Sequence, residues 1–373
     1  MLIYIGGLLS TLLLLYLSNK CNNKKGKLAL EWFSVVPFFI ISAIRYDVGT
    51  DFLWRYTADF ENIANGIDVK NFELGFKLLI KLCLLFSKDV QLMFIITSLI
   101  VNVLIIWAII KNSKNVYLSL VVYFCGGFFF LSMNAIRQFI AMSLVLYSYK
   151  YIFEKKNIIF FVLSVLLAFF IHSSSLIMII LVAMDKRKLL KPWLTIPISI
   201  IILIFGSYFF DFLGTIMSST RFSVYFVGKY AKGDISWVFV LYNLIIYAFI
   251  SWGISVNKTK NKEIEKEDSF YYNMQTLALI TTCMGSIHVL FSRIASYFMV
   301  FQIISIPYYI EKIKYGKIMF NNKAVNDKIF NKRNLCLIIV ISYILLLVYT
   351  NVLNNDNEVL PYRVFINKSF YIK

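Results

Sequence analysis

The segment Val90–Ile110 reads VQLMFIITSLIVNVLIIWAII, an apolar run of 21 residues. A helix of about 20 residues crosses the ~30 Å hydrocarbon core of a bilayer. The backbone finds no water there, so such a run must satisfy its amides within itself and is helical. Similar blocks recur at Leu2–Leu17, Ile158–Ile171 and Leu335–Thr350. Sixty per cent of the 373 residues are hydrophobic and the mean hydropathy is +0.73, whereas a soluble domain is about 45–50% apolar. The expected fold is all-α: a polytopic integral membrane protein of about 12 transmembrane helices, plus one or more interfacial or re-entrant helices. The even spread of blocks predicts a single transmembrane domain over residues 1–373.

Working outward from the blocks, lysine clusters between them fix the orientation. Lys20–Lys27, Lys111–Lys114, Lys150–Lys156, Lys186–Lys191, Lys258–Lys266 and Lys312–Arg333 all belong in the cytoplasm by the positive-inside rule. The predicted spans are then 1–18, 31–44, 90–110, 116–131, 135–153, 157–171, 173–185, 193–211, 236–256, 270–290, 294–312 and 335–351. Both ends lie outside, with external segments 45–72, 211–236 and 351–373 and cytoplasmic linkers 257–268 and 311–334. Phe72–Phe86 is apolar but carries Lys77 and Lys81. If it crossed the membrane, every later loop would change sides and the lysine bias would reverse, so it is expected to be an interfacial or re-entrant amphipathic helix. The first block lacks the positive flank and cleavage site of a signal peptide and is expected to be retained.

The formal charge of +18 would suggest nucleic acid in a soluble chain. Here topology-setting lysines account for it, and no nucleic-acid partner is expected. Cys21, Cys83, Cys125, Cys283 and Cys336 have no ligand-type spacing and none falls in an external loop, so neither a disulfide nor a metal site is expected.

The arginines behave differently. Of the eight, Arg45, Arg55, Arg137, Arg221, Arg293 and Arg363 face outward, and only Arg187 and Arg333 face inward. The positive-inside rule treats lysine and arginine alike and does not produce this split. Guanidinium forks grip phosphate and carboxylate through paired hydrogen bonds, so the pattern suggests an anion site at the outer leaflet. Individual arginines snorkelling to headgroups are the plainer alternative.

Three constellations stand out. Arg45-Tyr-Asp47-Val-Gly49-Thr-Asp51-Phe-Leu-Trp54-Arg55-Tyr56 combines two carboxylates, two arginines and aromatic rings that stack on sugars; Asp51 is also a candidate base. An interfacial aromatic belt with a capping Asp would use the same residue types. Asn134-Ala-Ile-Arg137-Gln138 opens a helix with polar groups that are unfavourable to bury alone. His172-Ser-Ser-Ser175 interrupts two apolar spans, and a lone histidine at a membrane surface is a functional candidate, although a tight turn would also use serines. His288, five residues before Arg293, is the other histidine. The chain has no P-loop, HExxH, GxSxG or dinucleotide fingerprint, so any substrate must arrive already activated.

Arg45-x-Asp-x-Gly49-x-Asp51 followed by aromatics resembles the first-loop signature of EpsG-like proteins, the Wzy-type polymerases of bacterial surface polysaccharides (O-antigen, capsule or exopolysaccharide). The resemblance continues through Asn134-Ala-Ile-Arg137-Gln138, Ala168-Phe-Phe-Ile-His172-Ser-Ser, Ser292-Arg293-Ile-Ala-Ser-Tyr297-Phe and Leu-Pro361-Tyr362-Arg363, covering nearly the whole chain. Phe52 departs from it, standing where a tyrosine is expected after the loop aspartate.

The resemblance implies a glycosyltransferase on the periplasmic face of the bacterial cytoplasmic membrane, joining repeat units carried on undecaprenyl diphosphate. It implies no cofactor, metal or nucleotide, and suggests a chain-length regulator as a candidate partner. In that reading Arg137, Arg221 and Arg293 hold the donor diphosphate, and His172 or else Asp51 takes the acceptor proton. Arg45, Asp47, Asp51, Trp54 and Tyr56 position acceptor sugars, and Gly49, Arg55, Asn134, Gln138, Tyr225, Tyr297 and Arg363 complete the substrate-binding set. A flippase would need a charged central cavity and often a repeat. An O-antigen ligase shares the chemistry with another acceptor, and a membrane acyltransferase would also use a histidine base.

Overall fold

The computed structural model describes residues 1–70, 72–153, 157–184, 188–217, 236–256, 262–313, 318–320, 323–325 and 332–367. Arg187, Arg221 and Tyr225 lie outside the described residues. The chain folds into two compact units: Met1–Ile177 with Arg333–Lys373, and Met178–Lys332. Among the described residues six helices are long and apolar enough to cross a membrane, or eight if each of two bent pairs is one span.

In the first unit, α1 (Leu2–Lys20) is followed by α2 (Lys24–Phe33) and α3 (Val36–Ala43). Asn23 starts α2 by accepting the Lys25 N–H at 3.0 Å. Pro37 sits in the first turn of α3, where its missing N–H leaves no hydrogen bond unmade. The expected span at 31–44 thus begins earlier, and Lys24–Ala43 reads as one apolar stretch of 20 residues. After α4 (Ala58–Ala64) and α5 (Leu74–Leu84) comes the long α6 (Gln91–Asn112). The expected span at 116–131 is a broken helix, α7 (Val116–Cys125) and α8 (Phe128–Asn134), bent by 52°. Gly127 makes that break with a φ of +78°, a conformation open to glycine. The predicted span 135–153 is α9 (Ile136–Ser148), finishing in a 3-10 turn over Tyr149–Ile152; α10 (Ile158–Ile171) follows. α16 (Lys332–Leu347) ends in a π-helical turn, Val348–Leu353, and a folded tail.

Contacts at the helix ends show that successive helices reverse direction. Asn19, ending α1, donates to the Tyr117 hydroxyl at the start of α7 (2.8 Å). Lys111, ending α6, lies over Tyr147 on the last turn of α9 and Tyr151 in the 3-10 turn that follows (5.0 and 5.4 Å to the ring centres). At the opposite end, the Gln91 amide starting α6 donates to the Ala43 carbonyl that closes α3. Glu73, before α5, lies beside His172, and the chain reaches α6 at Gln91 beside Ala43, so the stretch from Glu73 to Gln91 begins and ends at the same end of the unit's helices.

The second unit contains α11 (Pro192–Met217), α12 (Trp237–Val256), α13 (Lys262–Gly285), α14 (Val289–Met299) and α15 (Gln302–Ile313), the last two bent by 43°. β1 (Ile318–Phe320) pairs antiparallel with β2 (Lys323–Val325). The expected span at 173–185 is a 3-10 helix, Ser173–Ala183. Buried amides tie α12, α13 and α15 together: Gln302 Nε2 donates to Asn243 Oδ1 and to Gln275 Oε1, both at 3.0 Å. Gln275 Nε2 donates to the Asn243 carbonyl at 3.0 Å. Such bonds glue helices in a medium that offers no hydrophobic drive between them. Asn243→Leu is expected to destabilise the protein by about 1–3 kcal/mol by stranding the amides left behind, read as a lower Tm in detergent.

Candidate functional site

The first loop is built against the tail. Tyr46 N–H donates to the Arg363 carbonyl, Phe365 N–H to Ile44 and Gly49 N–H to Glu358, at 2.9, 2.9 and 3.0 Å. The Asp47 carboxylate pairs with the Arg363 guanidinium. Asp47 has a φ of +49° and Gly49 a φ of +108°, a sharp reversal that short polar residues and glycine tolerate. A Cβ on Gly49 would collide with Asn134 Oδ1. Asn134 Nδ2 in turn donates to Asn357 Oδ1 and its carbonyl (2.9 and 3.0 Å), and Asn357 donates to Asn351 (3.0 Å). Tyr4 and Tyr362 brace the arrangement through the Val359 and Ile41 carbonyls, each at 2.8 Å.

Arg45 lies beneath this loop and is 1% exposed. Its guanidinium donates to the Ser42 carbonyl and, at 3.0 Å, to the Met133 carbonyl, and faces the Phe94 ring at 4.9 Å. It joins α3 to the α8–α9 junction beneath the loop.

Asp51 opens a π-helical turn, Phe52–Thr57. The turn throws Trp54 outward, 89% exposed, and Tyr56 inward, 3% exposed. The half-buried Asp51 carboxylate makes no hydrogen bond or ion pair among the described residues. Phe52, in the place of the expected tyrosine, stacks on Phe94 at 4.2 Å and 10°, a packing role a phenyl ring fills. Arg55 pairs with Asp59 (3.4 Å) and lies over Phe72 (5.6 Å).

Glu73, the residue preceding α5, draws three segments together. One carboxylate oxygen pairs with the Arg137 guanidinium. The other stands 3.2 Å from His172 Nδ1 and accepts the Ser173 N–H (3.0 Å) and hydroxyl (3.2 Å). The histidine contact is close but off the line of a good hydrogen bond. Arg137 also covers the Phe72 ring at 4.6 Å, and its N–H reaches the Tyr56 hydroxyl at 3.5 Å. Burial works against charge on Glu73, but the His172 imidazole, the Ser173 N–H and the Arg137 guanidinium outweigh it and hold the carboxyl well below the usual range. The stability this gives is fully present above the ordinary carboxylate pKa and is lost only as pH falls through the much lower folded value.

The structure therefore brings together Arg45, Asp47, Gly49, Asn134 and Arg363 as a braced loop, and Tyr56, Arg137 and His172 around Glu73. Gln138, next to Arg137 on α9, is buried. In the second unit His288 is a structural residue: its Nδ1 accepts the Leu290 N–H at 3.2 Å, capping α14, and its ring stacks on Phe210 at 5.6 Å. On α14 Arg293 is exposed and Tyr297 fully buried. Glu73 and the tail asparagines escaped the sequence reading. The one signal for Glu73 was a carboxylate directly before an apolar helix; nothing local pointed to partners some 64 and 100 residues away. Among the described residues no three His, Cys, Asp or Glu side chains gather as metal ligands.

Together these groups can hold an anion at a guanidinium, offer an imidazole and a carboxylate as bases, and present an exposed indole face. The model of the EpsG family matches residues 28–364 of the chain. No curated protein and no solved structure matches it.

Proposed function

Because the chain belongs to the EpsG family, a family of Wzy-type polysaccharide polymerases, we propose that it joins oligosaccharide repeat units carried on undecaprenyl diphosphate, at the extracytoplasmic face of the cytoplasmic membrane. The growing glycan leaves its lipid carrier and passes to a terminal sugar hydroxyl of the incoming unit. The observation that carries the reading is the family match together with the packing of Arg137 and His172 around one carboxylate at one end of the helices. Arg137 binds the donor diphosphate and offsets the charge it gains on leaving. His172 takes the acceptor proton, with Asp51 as second candidate. Trp54 offers its exposed face to a sugar ring. About twelve crossings, counting the broken and short helices, belong to the same proposal, as does a chain-length regulator as partner.

A deletion strain tests the reading. Loss of long polymer with single repeat units still attached supports a polymerase, whereas loss of all surface units points to a flippase or ligase. His172→Ala is expected to slow polymerisation ~10²–10⁴-fold and to reproduce the single-unit phenotype. Polymer of normal length in that variant would transfer the base role to Asp51.

A further inference from the structure

Glu73 has no part in the reaction as described so far, yet it is the group that joins His172 to Arg137. Its two oxygens are committed to different partners: one to Arg137, the other to the side of His172 Nδ1 and to Ser173. The approach is built into the backbone. Gly75 lets α5 lie against α10; a Cβ there would stand 2.6 Å from the Phe170 carbonyl oxygen, two residues before His172. An ionised carboxylate accepts hydrogen bonds and donates none. The imidazole facing it is therefore favoured with its proton on Nδ1, which leaves the lone pair on Nε2. The side-chain contact that His172 makes with Glu73 is at Nδ1, 3.2 Å from the carboxylate oxygen, and not at Nε2.

We propose that Glu73 is the positioning residue of the site: it holds His172 in the Nδ1–H tautomer and keeps that base at a fixed spacing from Arg137. Its effect on rate rests on the polymerase reading; the tautomer does not. In the reaction the acceptor O–H proton passes to Nε2 while the oxygen forms its bond to the anomeric carbon. The bond from that carbon to the diphosphate breaks, and its electron pair leaves with the diphosphate. The imidazolium, flanked by Glu73, then releases the proton to water.

The chain has two histidines, so the full protein labelled with ring-¹⁵N histidine and placed in lipid nanodiscs gives two imidazole signals, and His288→Asn assigns them. The expected result is His172 as the Nδ1–H tautomer in the parent. Glu73→Ala should move it to the Nε2–H form that imidazole prefers in water, and Glu73→Asp should retain Nδ1–H. Glu73→Met, which keeps the side-chain length but carries only a weak acceptor, should move it in the same direction as alanine and serves if the alanine variant fails to fold. With lipid-linked repeat unit isolated from the deletion strain as substrate, Glu73→Ala should extend chains ~10²-fold more slowly. An Nε2–H tautomer in the parent, or Nδ1–H retained in a folded variant that lacks the acceptor at position 73, overturns the proposal. The expected tautomer switch combined with normal polymer in His172→Ala supports the positioning role and overturns the catalytic reading of the base.

Discussion

Arg137→Ala is expected to slow polymerisation ~10²–10³-fold, the loss typical of removing one charged group aimed at a developing anion. Two effects combine in that variant, and they separate experimentally. The first is on the folded state: Glu73 loses its partner while most of its side chain stays covered, and a buried charge without its counterion is strongly destabilising. Acid sensitivity follows with a definite sign. Without Arg137 the Glu73 carboxyl is less depressed, so protonation and the stability it removes set in at a higher pH than in the parent. The second effect is on the reaction. Arg137→Lys keeps one positive charge near Glu73 but loses the planar fork. It should restore most of the Tm in detergent and little of the polymer length. An Arg137→Ala strain that makes polymer of near-normal length would dismiss the arginine from diphosphate binding.

Gly49→Ala is expected to destabilise the protein by about 3 kcal/mol or more, the sum of a backbone torsion side chains rarely adopt and a displaced hydrogen-bonded neighbour. At φ +108° the added Cβ is strained whatever surrounds it, and it also strikes Asn134 Oδ1. Asn134 cannot retreat without loosening its bonds to Asn357. The damage should therefore spread to the tail, with earlier proteolysis there as well as a lower Tm. Adding Asn134→Ala removes the collision and leaves the torsion, so recovery should be partial. Full recovery would mean that the glycine is required for space alone.

The apolar runs were legible because their length and composition are local properties. The expected spans at 1–18, 90–110 and 236–256 correspond closely to α1, α6 and α12. Breaks within runs were harder. Gly126-Gly127 interrupts a hydrophobic pattern that hydropathy reads as continuous, and the bend of α14 into α15 has no glycine to mark it. The site was half legible. Arg137 and His172 could be found because polar groups beside apolar spans are conspicuous. Residue type marks Arg45 as a candidate ligand contact, and its burial against two carbonyls is a property of the fold that residue type does not encode. Glu73 and Asn357 owe their place to partners far along the chain, which no local pattern encodes.

The first unit is made of both ends of the chain, with the whole second unit between them. Asp47 meets Arg363 across 316 positions. Ribosomes deliver these segments in order, at about 5–20 residues per second, so the loop waits for its brace while some 300 residues are synthesised and inserted. Bracing of the first loop is thereby tied to the synthesis of Arg363, long after that of Asp47. A chain that stops before Arg363, or one in which α16 fails to insert, carries Arg137 and His172 but lacks the segment that holds the first loop. The order of synthesis thus sets the earliest moment at which the first loop is braced.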